Sequence, residues 1–184
     1  MRELEPAPAA HAWALGGTQA AVRRIGTFVL ARAATYATLF IGLLLVLLPG
    51  RVLSWSGVVR PATLGVVQIT GIAVGLAGAS LALWCILAFA FVGKGTPAPF
   101  DPPRQLVVRG PYRYVRNPMY IGAAMALGGA AIFYRSIALL CYLTLFLVIT
   151  HVFVVWYEEP TLAGLFGSDY QAYRASVRRW LPRN

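Results

Sequence analysis

Four long apolar stretches organise the chain, and polar or helix-breaking residues separate them. They cover residues 27–48, 62–92, 118–134 and 136–157. Because about 20 apolar residues in a helix cross the hydrocarbon core of a bilayer, the pattern predicts about four transmembrane helices. Pro49-Gly50 stops the first stretch. Only Arg135 separates the third stretch from the fourth, so these two stretches are predicted to form a helical hairpin.

The second apolar stretch carries glycines at a spacing that suits close helix packing. Gly71 and Gly75 form a GxxxG pattern, and Gly78 follows three residues later. Small residues allow helix backbones to approach each other in lipid. We therefore expect this face to contact another helix.

The C-terminal residues 167–184 have the pattern of an amphipathic helix. Gly167 is suited to end the preceding helix, and Ser168 with Gln171 makes a capping-box pattern for a new one. The aromatic and aliphatic residues of this segment are predicted to share one helical face: Tyr170, Tyr173, Val177 and Trp180. This pattern predicts a helix that lies at the membrane surface.

Composition supports an all-α integral membrane protein built as one domain. Hydrophobic residues make up 59% of the 184 residues and charged residues only 12%, whereas soluble domains average roughly 25% charged residues. We expect residues 1–26 to form a lead-in, residues 27–92 the first two spans, and residues 93–184 the half that carries the chemistry.

The distribution of basic residues predicts how the protein is oriented. The net charge is +10, and its 16 Lys and Arg lie beside the apolar stretches, which favours membrane lipids over nucleic acid as partners. In a four-span arrangement only Arg51, Arg60 and Arg135 fall on one side, against thirteen on the other. The positive-inside rule then predicts cytoplasmic termini and a cytoplasmic 93–117 loop, and we expect a bacterial inner membrane. The Cys and His residues lack metal-ligand spacing, so no metal is expected, and the oligomeric state stays open.

Two consecutive carboxylates end the fourth apolar stretch. Glu158 and Glu159 lie at a boundary of low dielectric, where carboxylates are unfavourable unless they are paired or bound to a cation. Pairing with Arg116 or Arg113 is one interpretation, and binding of a cationic ligand is the other. Both can hold at once.

Residues 109–120 combine a Gly-Pro turn, aromatic side chains and guanidinium groups just before the third apolar stretch. Asn117 is predicted to cap the helix that follows, with Pro118 in its first turn. The segment suits either a site for a small polar ligand or an anchor at the membrane interface.

Several motifs in the second half occur in a familiar order. They are residues 106–112 (Leu-Val-Val-Arg-Gly-Pro-Tyr), residues 116–122 (Arg-Asn-Pro-Met-Tyr-Ile-Gly), Glu158-Glu159, Phe166-Gly167 with Tyr170 and Tyr173, and residues 179–182 (Arg-Trp-Leu-Pro). This half resembles the isoprenylcysteine carboxyl methyltransferases and their relatives, the phosphatidylethanolamine N-methyltransferases. The resemblance implies S-adenosyl-L-methionine (SAM) as cofactor and S-adenosyl-L-homocysteine as product, bound at the cytoplasmic surface.

The resemblance also implies a set of cofactor-binding residues. They are Gln105, Leu106, Val107, Tyr112, Asn117, Pro118, Met119, Tyr120 and Glu158, together with Gly93 and Gly95 as a Gly-x-Gly element. A carboxylate such as Glu158 suits the cationic groups of SAM.

The expected acceptor is amphiphilic and lipid-like, with an isoprenylcysteine-type carboxylate favoured over a phospholipid amine. Asn117 matches the phospholipid enzymes, whereas the carboxyl methyltransferases carry His there. A carboxylate acceptor needs no base, and Arg116 or Arg113 would orient it. An amine must lose a proton, for which Glu159 is the candidate. His151 either lines the acceptor pocket or is a packed, hydrogen-bonded histidine.

Two other classes of function stay open. A membrane reductase of the sterol-reductase type would share the helical arrangement and bind NADPH instead of SAM. A non-catalytic membrane protein would bind neither cofactor.

Overall fold

A computed structural model describes residues 35, 38, 39, 41–89, 91 and 105–182, and these residues are helical apart from turns and loops. The helices are α1 (Leu48–Trp55), α2 (Val66–Ala88), α3 (Pro118–Tyr134), α4 (Ile137–Phe153) and α5 (Glu159–Ser176). A π-helical segment, Ile41–Leu47, precedes α1, and a second one, Val154–Glu158, joins α4 to α5. A short 3-10 turn, Gly110–Arg113, precedes α3.

Two of these helical segments are long and apolar enough to cross a membrane. They are Val66–Ala88 and the continuous run Ile137–Ser176, whereas the apolar helices Ile41–Trp55 and Pro118–Tyr134 are shorter. Their outward side chains include many exposed apolar residues, such as Leu76 and Ile149. The all-helical class is therefore confirmed for the part of the chain that the structure describes, and the number of four spans stays a prediction.

The helical path continues past Pro49-Gly50, where the first apolar stretch stops. The chain continues as α1 to Trp55. Pro49 falls in the first turn of α1, directly after the π-helical segment, and a proline is tolerated there because the missing N–H is not needed.

The glycines of α2 contact α3, which runs antiparallel to it. A Cβ atom placed on Gly71 would lie 2.6 Å from the backbone nitrogen of Phe133, and one on Gly78 would lie 2.5 Å from the carbonyl oxygen of Gly122. The predicted small-residue contact is confirmed. Its register brings the end of α2 beside the start of α3.

The hairpin between α3 and α4 is confirmed. Arg135 adopts a left-handed conformation with φ 50°, and the hydroxyl of Ser136 accepts a hydrogen bond from the amide of Leu139 at 3.3 Å. The helical path then continues past Glu158 and Glu159 as far as the predicted break at Gly167, which has φ 50° and ψ −122°.

The C-terminal helix ends at Ser176, earlier than the amphipathic pattern predicted. Val177 is extended, and the amide of Arg116 donates to the carbonyl of Arg178 at 2.9 Å. Val177 and Trp180 therefore lie beyond the helix, so their predicted place on its face is wrong. Tyr170 and Tyr173 of that face are buried against protein residues that include Leu106, because the backbone of the tail pairs with the loop before α3.

Candidate functional site

The loop before α3 and the C-terminal tail, both predicted to be cytoplasmic, meet at one end of the helices. The hydroxyl of Tyr173 donates to the carbonyl of Tyr112 at 2.7 Å, and the side-chain amide of Asn117 donates to the carbonyl of Arg179 at 3.3 Å. The loop before α3, the start of α3, the α4–α5 junction and the tail therefore form one cluster, which we call the site end.

The loop residues Val107 and Tyr112 are buried against Cys85 of α2, with Met119 packed on the same cluster. The ring of Tyr112 meets Phe89 edge to face, with 5.3 Å between centroids. Burial raises the pKa of the Tyr112 phenol well above its ordinary value. These predicted cofactor residues form the inner wall of the site end.

Other members of the predicted cofactor set are less enclosed or fall outside the described residues. Gln105 is exposed and Leu106 half-buried. Gly93 and Gly95 fall outside the described residues, so their role stays a prediction.

Asn117 occupies the N-cap position of α3, and Pro118 lies in its first turn, as predicted. The Asn117 side chain, however, makes no capping hydrogen bond and points to the tail carbonyl of Arg179 instead. The prediction of a side-chain cap is therefore wrong. Asn117 donates its side-chain amide to the tail rather than accepting from its own helix, and it is only 6% exposed.

Glu158 is paired with Tyr120 across the site end. The Tyr120 hydroxyl donates to Oε2 of Glu158 at 3.1 Å. An ionised carboxylate has about four acceptor positions, so this contact leaves acceptor capacity for a ligand. The pair joins the first turn of α3 to the α4–α5 junction.

Glu159 is buried among arginines, and its predicted pairing with Arg116 is confirmed. Its Oε1 lies 3.2 Å from Nη2 of Arg116, and Arg179 makes a two-pronged contact of 2.6 Å through Nε and 3.0 Å through Nη2. The hydrogen bond to Glu159 raises the pKa of the Arg179 guanidinium. Arg174 lies further away at 4.0 Å, and Arg113 is exposed.

This environment does not support the prediction that Glu159 accepts a proton. Guanidinium groups on several sides stabilise the ionised carboxylate. A carboxylate stabilised in this way binds a proton weakly, so it is a poor general base.

The ion pair with Glu159 occupies only some of the hydrogen-bond donors of Arg116. Its side chain is 9% exposed, and its Nε and Nη1 atoms are buried without a hydrogen-bond partner in the described part of the chain. Unpaired buried donors are unfavourable. Arg116 therefore carries donors that suit an anionic group.

His151 is a hydrogen-bonded residue on an exposed face of α4. Its Nδ1 accepts from Nε1 of Trp180 at 3.1 Å. This contact attaches the tail to α4 and confirms that His151 is hydrogen-bonded, but His151 is exposed and not packed as that interpretation predicted. Its predicted contact with the acceptor is not tested.

Two residues of the site end, Arg179 and Tyr173, were not among the predicted site residues. Arg179 belongs to the Arg-Trp-Leu-Pro motif, yet no spacing in the sequence links it to Glu159, which lies 20 residues earlier.

The fold and the site define a helical membrane protein with carboxylate and guanidinium groups gathered at one end. A family model described as phospholipid methyltransferase matches residues 66–169, more than half of the chain. The chain therefore belongs to the phospholipid methyltransferase family, and it is a membrane methyltransferase for lipid-like substrates. Comparison with curated proteins and with solved structures gave no match.

Proposed function

We propose that the protein transfers a methyl group from SAM to a lipid-like acceptor at the cytoplasmic face of the membrane. The observation that carries the proposal is the Tyr120–Glu158 pair at the boundary of the apolar α4 helix. SAM supplies an electrophilic methyl group on a sulfonium centre, and it also bears an ammonium group. Glu158 provides a fixed carboxylate for such a cation.

The other proposed cofactor contacts surround this pair. Pro118 and Met119 lie in the same helical turn as Tyr120, and Asn117 precedes them. The buried side chains of Val107 and Tyr112 shape the wall rather than present polar groups. In-line methyl transfer depends on positioning in a dry site, which a wall of this kind supports.

A carboxylate is the acceptor that we favour. Its oxygen attacks the methyl carbon while the bond from that carbon to sulfur breaks, so a sulfonium and a carboxylate become a thioether and a neutral methyl ester. No proton has to be removed, which agrees with the lack of a free base at Glu159. Arg116 supplies guanidinium donors to orient an anionic acceptor.

A phospholipid amine is the second candidate acceptor. The family match and the Asn117 to Tyr120 motif favour it. An amine acceptor releases a proton, which then has to pass to water or to a group other than Glu159.

Methyl transfer into a membrane lipid extract tests the proposal and separates the acceptors. Purified protein is incubated with SAM labelled in its methyl group, and the labelled lipid is treated with mild alkali. We expect labelled lipid that releases labelled methanol, because esters hydrolyse under these conditions. Label that survives alkali would identify an amine acceptor. Absence of labelled lipid from folded protein would contradict the proposed function.

A further inference from the structure

The two adjacent glutamates face different partners. Glu158 receives a hydrogen bond from Tyr120, whereas Glu159 receives its contacts from arginines of the loop and the tail. Sequence adjacency would assign both carboxylates to one ligand. The contacts separate them.

The Glu159 carboxylate links two segments that are far apart in sequence. Arg116 belongs to the loop before α3, and Arg179 belongs to the extended tail after α5. The side chain of Glu159 is only 8% exposed, and the contact with Arg179 is two-pronged. A geometry of this kind fixes the orientation of the guanidinium as well as its position.

The tail held by Glu159 in turn holds the start of the site. The carbonyl of Arg178 accepts from the amide of Arg116, and the carbonyl of Arg179 accepts from the side chain of Asn117. Val115 and Arg178 also form an isolated β-bridge. Displacement of Arg179 would therefore remove contacts to three consecutive residues, 115–117, directly before α3.

We propose that Glu159 is a positioning residue that holds the tail against residues 115–117, while Glu158 is the carboxylate that meets the cofactor. This inference rests on the proposed function, because its binding measurement requires that the protein binds S-adenosyl-L-homocysteine. Glu159 acts through Arg179 and Arg116 and does not touch the reacting atoms. Two carboxylates that are adjacent in the chain therefore have separate roles in this proposal.

A double-mutant cycle on the full chain in detergent tests the coupling. Glu159→Gln, Arg179→Gln and the double variant are titrated with S-adenosyl-L-homocysteine by calorimetry. We expect each single variant to weaken binding about tenfold and the double variant to be no weaker than either, since residues in one network are not additive. Arg60→Gln, the same change at an exposed arginine outside the site end, should bind within about twofold of the unchanged protein. Glu159→Asp keeps the charge and should recover part of the loss.

Hydrogen exchange at the Arg116 amide gives a readout that does not depend on the cofactor. That amide is bonded to the tail carbonyl of Arg178, so Glu159→Gln and Arg179→Gln should both speed its exchange, and Arg60→Gln should not. Unchanged exchange in both variants would overturn the proposal. The proposal would also be overturned if Glu159→Gln bound normally but lost turnover and the acidic limb of the pH profile. That result would identify Glu159 as a proton acceptor. If the unchanged protein fails to bind S-adenosyl-L-homocysteine, the proposed function fails and the exchange result alone decides the role of Glu159.

Discussion

The hydroxyl of Tyr120 donates a hydrogen bond to Oε2 of Glu158 at 3.1 Å, across the junction between the first turn of α3 and the end of the apolar α4 path. The contact holds a carboxylate at the edge of the membrane-facing helices. It leaves that carboxylate with acceptor capacity for a cationic group. The following predictions depend on this pair and on the packing that supports it.

Replacing Glu158 by Gln removes the negative charge and nearly preserves the shape. We expect binding of S-adenosyl-L-homocysteine to weaken by about tenfold or more, because a hydrogen bond to a charged group contributes about 1.5–3 kcal/mol. Calorimetric titration measures the loss. Asp169→Asn is the matched control, since Asp169 is an exposed acid nearby in the chain, and it should bind normally. An unchanged affinity in Glu158→Gln would remove Glu158 from the cofactor site.

Replacing Tyr120 by Phe deletes only the hydroxyl that meets Glu158. We expect a smaller loss of affinity, about fivefold, because one hydrogen bond contributes about 1 kcal/mol net. In a double variant with Glu158→Gln the two losses should not add, since the residues are in contact. Fully additive losses would show that Tyr120 acts independently of Glu158.

Replacing Gly78 by Ala tests the packing of α2 on α3. The added Cβ would lie 2.5 Å from the Gly122 carbonyl oxygen, so the two backbones have to separate, and we expect the free energy of unfolding to fall by about 1–3 kcal/mol. Gly164→Ala is the control, because nothing lies within 4 Å of its added Cβ and alanine favours a helix. Denaturation in detergent should show a loss for Gly78→Ala and none for Gly164→Ala. Equal stability of the two variants would contradict the close approach.

Replacing Tyr173 by Phe tests the contact between the tail and the loop. The Tyr173 hydroxyl donates to the buried Tyr112 carbonyl at 2.7 Å, and leaving a buried acceptor unpaired costs about 1–3 kcal/mol. We expect a lower denaturation midpoint for Tyr173→Phe. Tyr114→Phe removes the hydroxyl of a residue that is 62% exposed and should leave the midpoint unchanged. A matching decrease in Tyr114→Phe would show that the loss is not specific to this hydrogen bond.

Local signals in the sequence were sufficient for much of the fold. Pro118 marks the start of α3, and Arg135 with Ser136 marks the turn into α4, because each residue acts on its own backbone. The glycines of α2 predicted a helix contact because their spacing places them on one face. Their partner in α3 could not be predicted from α2 alone.

The departures from prediction come from contacts between distant segments. Val177 leaves the helix because the tail pairs with residues 115–116. Asn117 turns away from its own helix because a tail carbonyl competes for its side chain. No helical or alternating periodicity records such long-range competition.

The residues that form the candidate site could be predicted from the sequence, but the role of each residue was harder to predict. The paired carboxylates, Arg116 and the motif around Tyr120 were all identified from charge and position. The different roles of Glu158 and Glu159 follow from where Arg179 lies, and its position depends on the tertiary fold.

Binding of S-adenosyl-L-homocysteine to the purified, folded protein is the most direct test of the central claim, with NADPH titrated in parallel. The account predicts saturable binding of S-adenosyl-L-homocysteine, weakened by Glu158→Gln, and no binding of NADPH. Saturable binding of NADPH without binding of S-adenosyl-L-homocysteine would contradict the account.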